Sequence, residues 1–177
     1  MKRLYFVRHG LSEMNLSGHV SGSTETPLAA EGKAQAKLAG EHAKALHIDH
    51  IIASPLSRAY DTAKIIAKEV GYPTDKIELN SLLIERHFGS LEGTVWTPDL
   101  DLDGFADVES HDNLKNRVIL ALEYVQTLPA ENVLIVSHGA TGRMFRHVIE
   151  PNIPFRSTDP DVRHATRFEN AKIVQLL

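Results

Sequence analysis

Apolar and polar positions along this chain fall into alternating strand-like and helix-like blocks. Leu4, Tyr5, Phe6 and Val7 form an unbroken apolar run, which predicts a strand over residues 3–7 buried on both faces. A polar, glycine-bearing loop follows at 10–26. Ala36, Ala39, Ala43 and Leu46 then recur at helical spacing and predict a helix over about 29–46. Further strands are predicted at 51–53, 77–79, 133–136 and about 172–176. Ser54-Pro55 breaks the second strand and opens a helix over 56–70, with Ala59, Ala63, Ile66, Ala67 and Val70 along one face. Leu114, Val118, Ala121, Leu122 and Val125 mark an amphipathic helix, and a short one is predicted over about 140–148. Residues 89–111 are irregular, and Pro151, Pro154 and Pro160 make the tail read as loop until the last strand. This alternation favours an α/β fold, a three-layer α/β/α sandwich with a mostly parallel central sheet.

Two of the predicted strands end alike. Val7-Arg8-His9-Gly10 and Val136-Ser137-His138-Gly139 each run from an apolar stretch into His-Gly. In an open α/β sheet, ligand sites gather beyond the strands' carboxyl ends, so His9 and His138 are placed to share one substrate. Imidazole titrates near neutrality, accepts protons and can attack phosphorus. Arg8 and Arg58 carry the fork of donors that clamps a phosphoryl group, and Arg58 opens a helix that adds amide donors. Phosphoryl transfer is the chemistry this set favours.

Composition narrows the partners. The 177 residues carry a formal charge of −4 and no run of Lys and Arg, which argues against nucleic-acid or membrane-surface binding. A small-molecule phosphate ester is the expected substrate, and the charge gives no indication of oligomeric state. Cysteine is absent, which excludes thiolate catalysis and disulfides. The apolar stretch after Met1-Lys2-Arg3 is far too short for a signal peptide, so a cytoplasmic protein is expected. The length predicts a single domain over 1–177, with a short acidic cover segment at about 89–111.

At this point several motifs converge. Arg8-His9-Gly10, Asn15, Ser21-Gly22, Ser54-Pro55-Leu56-Ser57-Arg58-Ala59, Glu85-Arg86-His87-Phe88-Gly89 with Glu92-Gly93, and Ser137-His138-Gly139 occur in this order. Together they resemble the histidine phosphatase superfamily, in its phosphoglycerate-mutase-like branch. The resemblance implies that His9 is the nucleophile that becomes phosphorylated. Arg8, Arg58 and His138 would surround the phosphoryl oxygens. Glu85 would protonate the departing alkoxide and later take a proton from water. Asn15, Ser21, Gly22, Arg86 and Gly139 complete the implied substrate contacts, and no cofactor or metal is implied.

Competing readings leave traces in the sequence. His47-Ile48-Asp49-His50 offers metal-ligand types at close spacing, but no third ligand stands in an obvious position. Within the family, a mutase must shield its phosphoenzyme from water, and the segment after Glu85 is short, which favours a phosphatase. That segment carries Glu92, Asp99, Asp101, Asp103, Asp107 and Glu109 without a Lys or Arg. If it borders the site, its field is expected to repel substrates with a second anionic group.

Overall fold

The computed structural model describes residues 2–97 and 99–177. Strands β1 (Arg3–Arg8), β2 (His50–Ala53), β3 (Glu78–Leu79), β4 (Asn132–Ser137) and β5 (Ile173–Gln175) form one sheet in the order β3-β2-β4-β1-β5. The first four run parallel, and β5 pairs antiparallel with β1 at the edge. The helices are α1 (Glu13–Leu16), α2 (Ala30–Ala43), α3 (Ser57–Val70), α4 (His111–Thr127), α5 (Gly139–Ile149) and α6 (Pro160–Thr166).

Successive side chains of a strand point to opposite faces, so each apolar run serves two cores. Tyr5, Val7, Ile51, Ala53, Leu134 and Val136 meet Ala39 and Ala43 of α2 and Ala59, Ala63, Ile66 and Ala67 of α3. Leu4, Phe6, Ile52, Val133 and Ile135 meet Leu114, Val118 and Ala121 of α4 and Met144 and Phe145 of α5. Helices therefore cover both faces, giving the expected α/β/α sandwich.

This topology positions the site. β4 is inserted between β2 and β1 although it comes later in the chain, and connections diverge at such a point to leave a crevice beyond the strand ends. Arg8 of β1 is in register with Ser137 of β4. The next residue of each strand is a histidine, so His9 and His138 emerge side by side.

Two segments differ from the expectation. The prolines of the tail predict loop, yet α6 forms because Pro160 stands in its first turn and the Asp159 side chain accepts from the Asp161 amide. A proline there starts a helix rather than breaking one, since its missing N–H has no intrahelical partner to lose. The 10–26 loop contains α1, closed by a reciprocal cap between Ser12 and Asn15.

Candidate active site

His9 is buried, and its ring nitrogens have opposite roles. Nδ1 lies 2.6 Å from the Gly10 carbonyl, which only accepts, so Nδ1 carries the proton. Nε2 receives the Nε–H of Arg58 at 3.2 Å, and a guanidinium only donates, so Nε2 holds a lone pair. Burial first, then the charges of Arg58 and Arg8, pushes the imidazole pKa well below its usual 6.5. The ring is thus neutral with Nε2 available. The turn needs glycine on both sides: a Cβ at Gly10 would stand 2.2 Å from the Gly32 carbonyl oxygen, at the start of α2.

Arg58, at the start of α3, is almost wholly buried. Its terminal nitrogens donate to the carbonyls of Gly22 at 2.6 Å and Thr24 at 2.8 Å. The loop supplying those carbonyls is itself anchored. The Glu92 carboxylate accepts the Ser23 amide at 3.0 Å and hydroxyl at 3.0 Å, the Thr24 hydroxyl, and the Phe88 amide at 2.9 Å. Burial raises the Glu92 pKa, but these donors outweigh it and leave the carboxyl below the usual range. Gly22 adopts φ +51°, and a Cβ there would stand 2.3 Å from Glu92 Oε1. Glu25 braces the other side by accepting the Ser57 amide at the first residue of α3.

His138 is fully buried, its ring centroid 5.1 Å from that of His9 at an angle of 62°. Its Nε2 lies 2.8 Å from the Ser54 hydroxyl, and desolvation followed by the charges of Arg58, His9 and Arg8 depresses its pKa well below 6.5. Arg8 donates to the Phe168 carbonyl at 3.2 Å and is lowered to about 10, mainly by burial and against the raising effect of Glu85. Glu85 sits at the amino end of α5. Its oxygens accept from the Ala140 amide at 3.0 Å, the Thr141 amide at 3.0 Å and the Arg86 amide at 2.8 Å, so the dipole and free amides of α5 fix its place. Among the described residues, four side-chain polar atoms are buried without a hydrogen-bond partner: Asn132 Oδ1, at the far end of β4, and Arg8 Nε, His138 Nδ1 and Ser21 Oγ, which a ligand's oxygens would satisfy.

The structure thus brings together His9, His138, Arg8, Arg58, Glu85, Ser21, Gly22 and Gly139, whose added Cβ would touch Arg8 Nε at 3.4 Å. Asn15 sits differently from the expectation, since its Oδ1 caps α1 by accepting the Ser12 amide. Arg86, expected to contact substrate, is engaged in part within the protein: its Nε donates to the Glu109 carbonyl at 2.8 Å and its Nη2 to Asp103 at 2.7 Å. Sequence reasoning did not single out Ser54, the partner of His138, nor Asn170, which donates to the His9 carbonyl at 2.9 Å. In the sequence Ser54 stands out only as a helix start and as part of the Ser54–Ala59 motif, with nothing local to mark it as a partner of His138.

The rival metal motif is engaged elsewhere. Asp49 accepts the amides of Glu131 and Asn132, and His50 lies 3.0 Å from Glu78. From the 89–111 segment, Leu91, Leu100, Leu102 and Val108 pack near the site against Val20, Phe88 and Ala140. Several of their carboxylates have local partners. Asp103 bonds Arg86, Arg156 and His111, Asp107 bonds Ser90, and Glu109 bonds Arg117 at 2.8 Å.

Comparison with known proteins decides the family. The profile described as the histidine phosphatase superfamily (branch 1) matches residues 4–160. This chain belongs to that superfamily. A curated relative from Escherichia coli, named probable phosphoglycerate mutase GpmB, is 38% identical over 151 residues, covering 78% of this chain and 70% of the relative. Solved histidine phosphatase folds superpose closely. A mycobacterial glucosyl-3-phosphoglycerate phosphatase, solved with VO3, has a TM-score of 0.79 at 23% identity, covering 99% of this chain and 92% of that one. A protein encoded by an open reading frame of Mycobacterium tuberculosis reaches 0.75 at 28% identity, covering 97% and 89%. Among the described residues, no helix is long and apolar enough to cross a membrane.

Proposed function

We propose that this chain is a phosphomonoesterase acting on a small-molecule phosphate ester through a phosphohistidine at His9. The observation that carries the reading is the fixed neutral state of His9, with Nδ1 tied to Gly10 and the lone pair on Nε2. Nε2 attacks phosphorus, the P–O bond to the alcohol breaks, and Glu85 gives the departing oxygen its proton. Water then attacks the phosphohistidine, Glu85 takes a proton from it, and inorganic phosphate leaves. Arg58 exchanges its bond to Nε2 for a phosphoryl oxygen. Arg8 Nε, the Ser21 hydroxyl and His138 neutralise or bond the remaining oxygens, so positioning and charge supply the rate enhancement.

The relative named a probable phosphoglycerate mutase favours a second reading, in which the phosphohistidine passes its group to another alcohol. Acid-free quenching during turnover of a 32P-labelled ester separates the outcomes. The expected adduct is acid-labile, base-stable and absent from His9→Ala. Label on another residue overturns the mechanism, whereas recovery of label mainly in a new ester rather than in inorganic phosphate establishes the mutase. Phosphate release is expected to survive chelation, and loss restored by zinc or manganese refutes the proposed charge set.

A further inference from the structure

Among the described residues, the His138 ring has one hydrogen-bond partner for its two nitrogens, and that partner is Ser54. Strand register brings the two together. Ala53 pairs with Val136, and the Ser54 amide donates to the Val136 carbonyl at 2.9 Å, so the chain just past β2 lies beside the chain just past β4. Both residues are 0% exposed, and neither side chain can turn to solvent.

Counting donors and acceptors places the protons. Pro55 has no N–H, and the next amide, that of Leu56, donates to Ser54 Oγ at 3.3 Å. The hydroxyl's own hydrogen then needs an acceptor. Among the described residues, His138 Nε2 at 2.8 Å is the one within reach. A neutral ring with its proton on Nε2 would leave the Ser54 hydroxyl a buried donor without an acceptor and Nδ1 a buried lone pair without a donor, two unsatisfied groups where the other tautomer leaves one. Burial opposes the doubly protonated ring, as do the charges of Arg58, Arg8 and Arg117. What remains is a neutral ring with its hydrogen on Nδ1, the nitrogen that lacks a partner in the protein.

We propose that Ser54 is a positioning residue: by donating to Nε2 it holds His138 as a neutral Nδ1–H donor, so that the second histidine binds the transferring phosphoryl group by a hydrogen bond while the arginines carry the positive charge. The inference rests on the phosphomonoesterase reading and adds a residue to it. The two imidazoles are then the same tautomer used in opposite senses. His9 turns its Nδ1–H inward to the Gly10 carbonyl and keeps a lone pair on Nε2 for phosphorus. His138, its ring edge-on to that of His9 with centroids 5.1 Å apart, turns its lone pair inward to Ser54 and keeps an N–H for a phosphoryl oxygen.

The tautomer is read directly by NMR. In the unaltered protein labelled with 15N at histidine, at pH 7, long-range 1H–15N correlation of the His138 ring, assigned through its backbone connection to Gly139, is expected to show a protonated Nδ1 and an unprotonated Nε2, and the same pattern with orthovanadate bound. Ser54→Ala removes the donor, so its His138 ring should shift toward the Nε2–H form. Its kcat/KM for phenyl phosphate should fall about tenfold, the effect of one buried hydrogen bond. Ser54→Thr keeps the hydroxyl and should restore the tautomer and most of the rate. A His138 ring protonated on Nε2 alone, or on both nitrogens, in the unaltered protein overturns the inference and leaves the phosphatase standing, and this result requires no variant to fold. A slower Ser54→Ala protein with an unchanged tautomer assigns Ser54 to packing and overturns it equally. Absence of turnover and of phosphohistidine with every ester overturns the phosphomonoesterase reading and, with it, the part given to this pair in the reaction.

Discussion

Glu92 touches neither His9 nor Arg58 in the observed hydrogen-bond network, yet its removal should slow the reaction. Its carboxylate gathers the Ser23 amide and hydroxyl, the Thr24 hydroxyl and the Phe88 amide, and the loop so fixed presents the carbonyls of Gly22 and Thr24 to Arg58. A hydrogen bond to a charged group contributes about 1.5–3 kcal/mol. The Thr24 hydroxyl lies at the rim and recovers water in a Glu92→Ala variant. The more enclosed amide contacts, taken at the low end of that range, still give an expected loss of about 2–3 kcal/mol. With an m-value of about 2 kcal/mol/M, the urea midpoint should fall by about 1–1.5 M. Arg58 then loses its frame, and misplacing a charge-stabilising group by about 1 Å costs roughly 10- to 100-fold in kcat. Glu92→Gln retains the oxygen that accepts the Ser23 and Phe88 amides and should lose less than half as much on both measures. Urea unfolding followed by circular dichroism and steady-state hydrolysis of phenyl phosphate check the two numbers. A Glu92→Ala protein with an unchanged midpoint and unchanged kcat would show that something else anchors the 22–24 loop.

Acidification should destabilise the fold through the paired imidazoles. Burial and the neighbouring arginines hold the His9 and His138 pKa values well below 6.5. The unfolded chain therefore binds more protons below that pH, and stability falls as pH drops from 6.5 toward the folded values, by up to about 1.4 kcal/mol per histidine per pH unit. Glu92 and Asp103 are also depressed, but their window opens only below the ordinary carboxylate range, so unfolding midpoints that coincide at pH 7 and pH 5.5 would refute the imidazole argument. Glu85→Gln should slow alkyl phosphates at least tenfold more than aryl phosphates, because a good leaving group needs little protonation; equal losses in kcat on both ester types would remove Glu85 from the proton transfer.

The strands and their His-Gly ends were legible in sequence because a parallel sheet covered on both faces demands unbroken apolar runs, as in residues 4–7 and 133–136. Arg58 is legible in sequence only in company, beside Arg8 and the two histidines or within its motif. Taken alone it reads as a solvated helix residue, yet it is almost wholly buried, and its partners at Gly22 and Thr24 come from a loop far away in the chain. Arg86 shows the converse. Its motif places it beside Glu85, but its side chain turns to Asp103 and Glu109, a pairing that no local pattern encodes. Helix α6 escaped because proline density in the tail obscured one well-placed start signal, Asp159-Pro160.

The sheet order has a kinetic meaning. β1 finds its neighbours only in β4 and β5, and Asn170 binds the His9 carbonyl across a sequence separation of 161. Non-local pairing of this kind raises contact order and slows folding, since loop-closure entropy must be overcome before the contacts can stabilise anything. His9 precedes both its partner His138 and its backbone support Asn170 by a long stretch of chain, so it acquires them late. A C-terminally trimmed chain therefore carries His9 without its partner histidine or its backbone support, and, on the proposed mechanism, the onset of turnover during refolding reports closure of the whole sheet rather than formation of any local element.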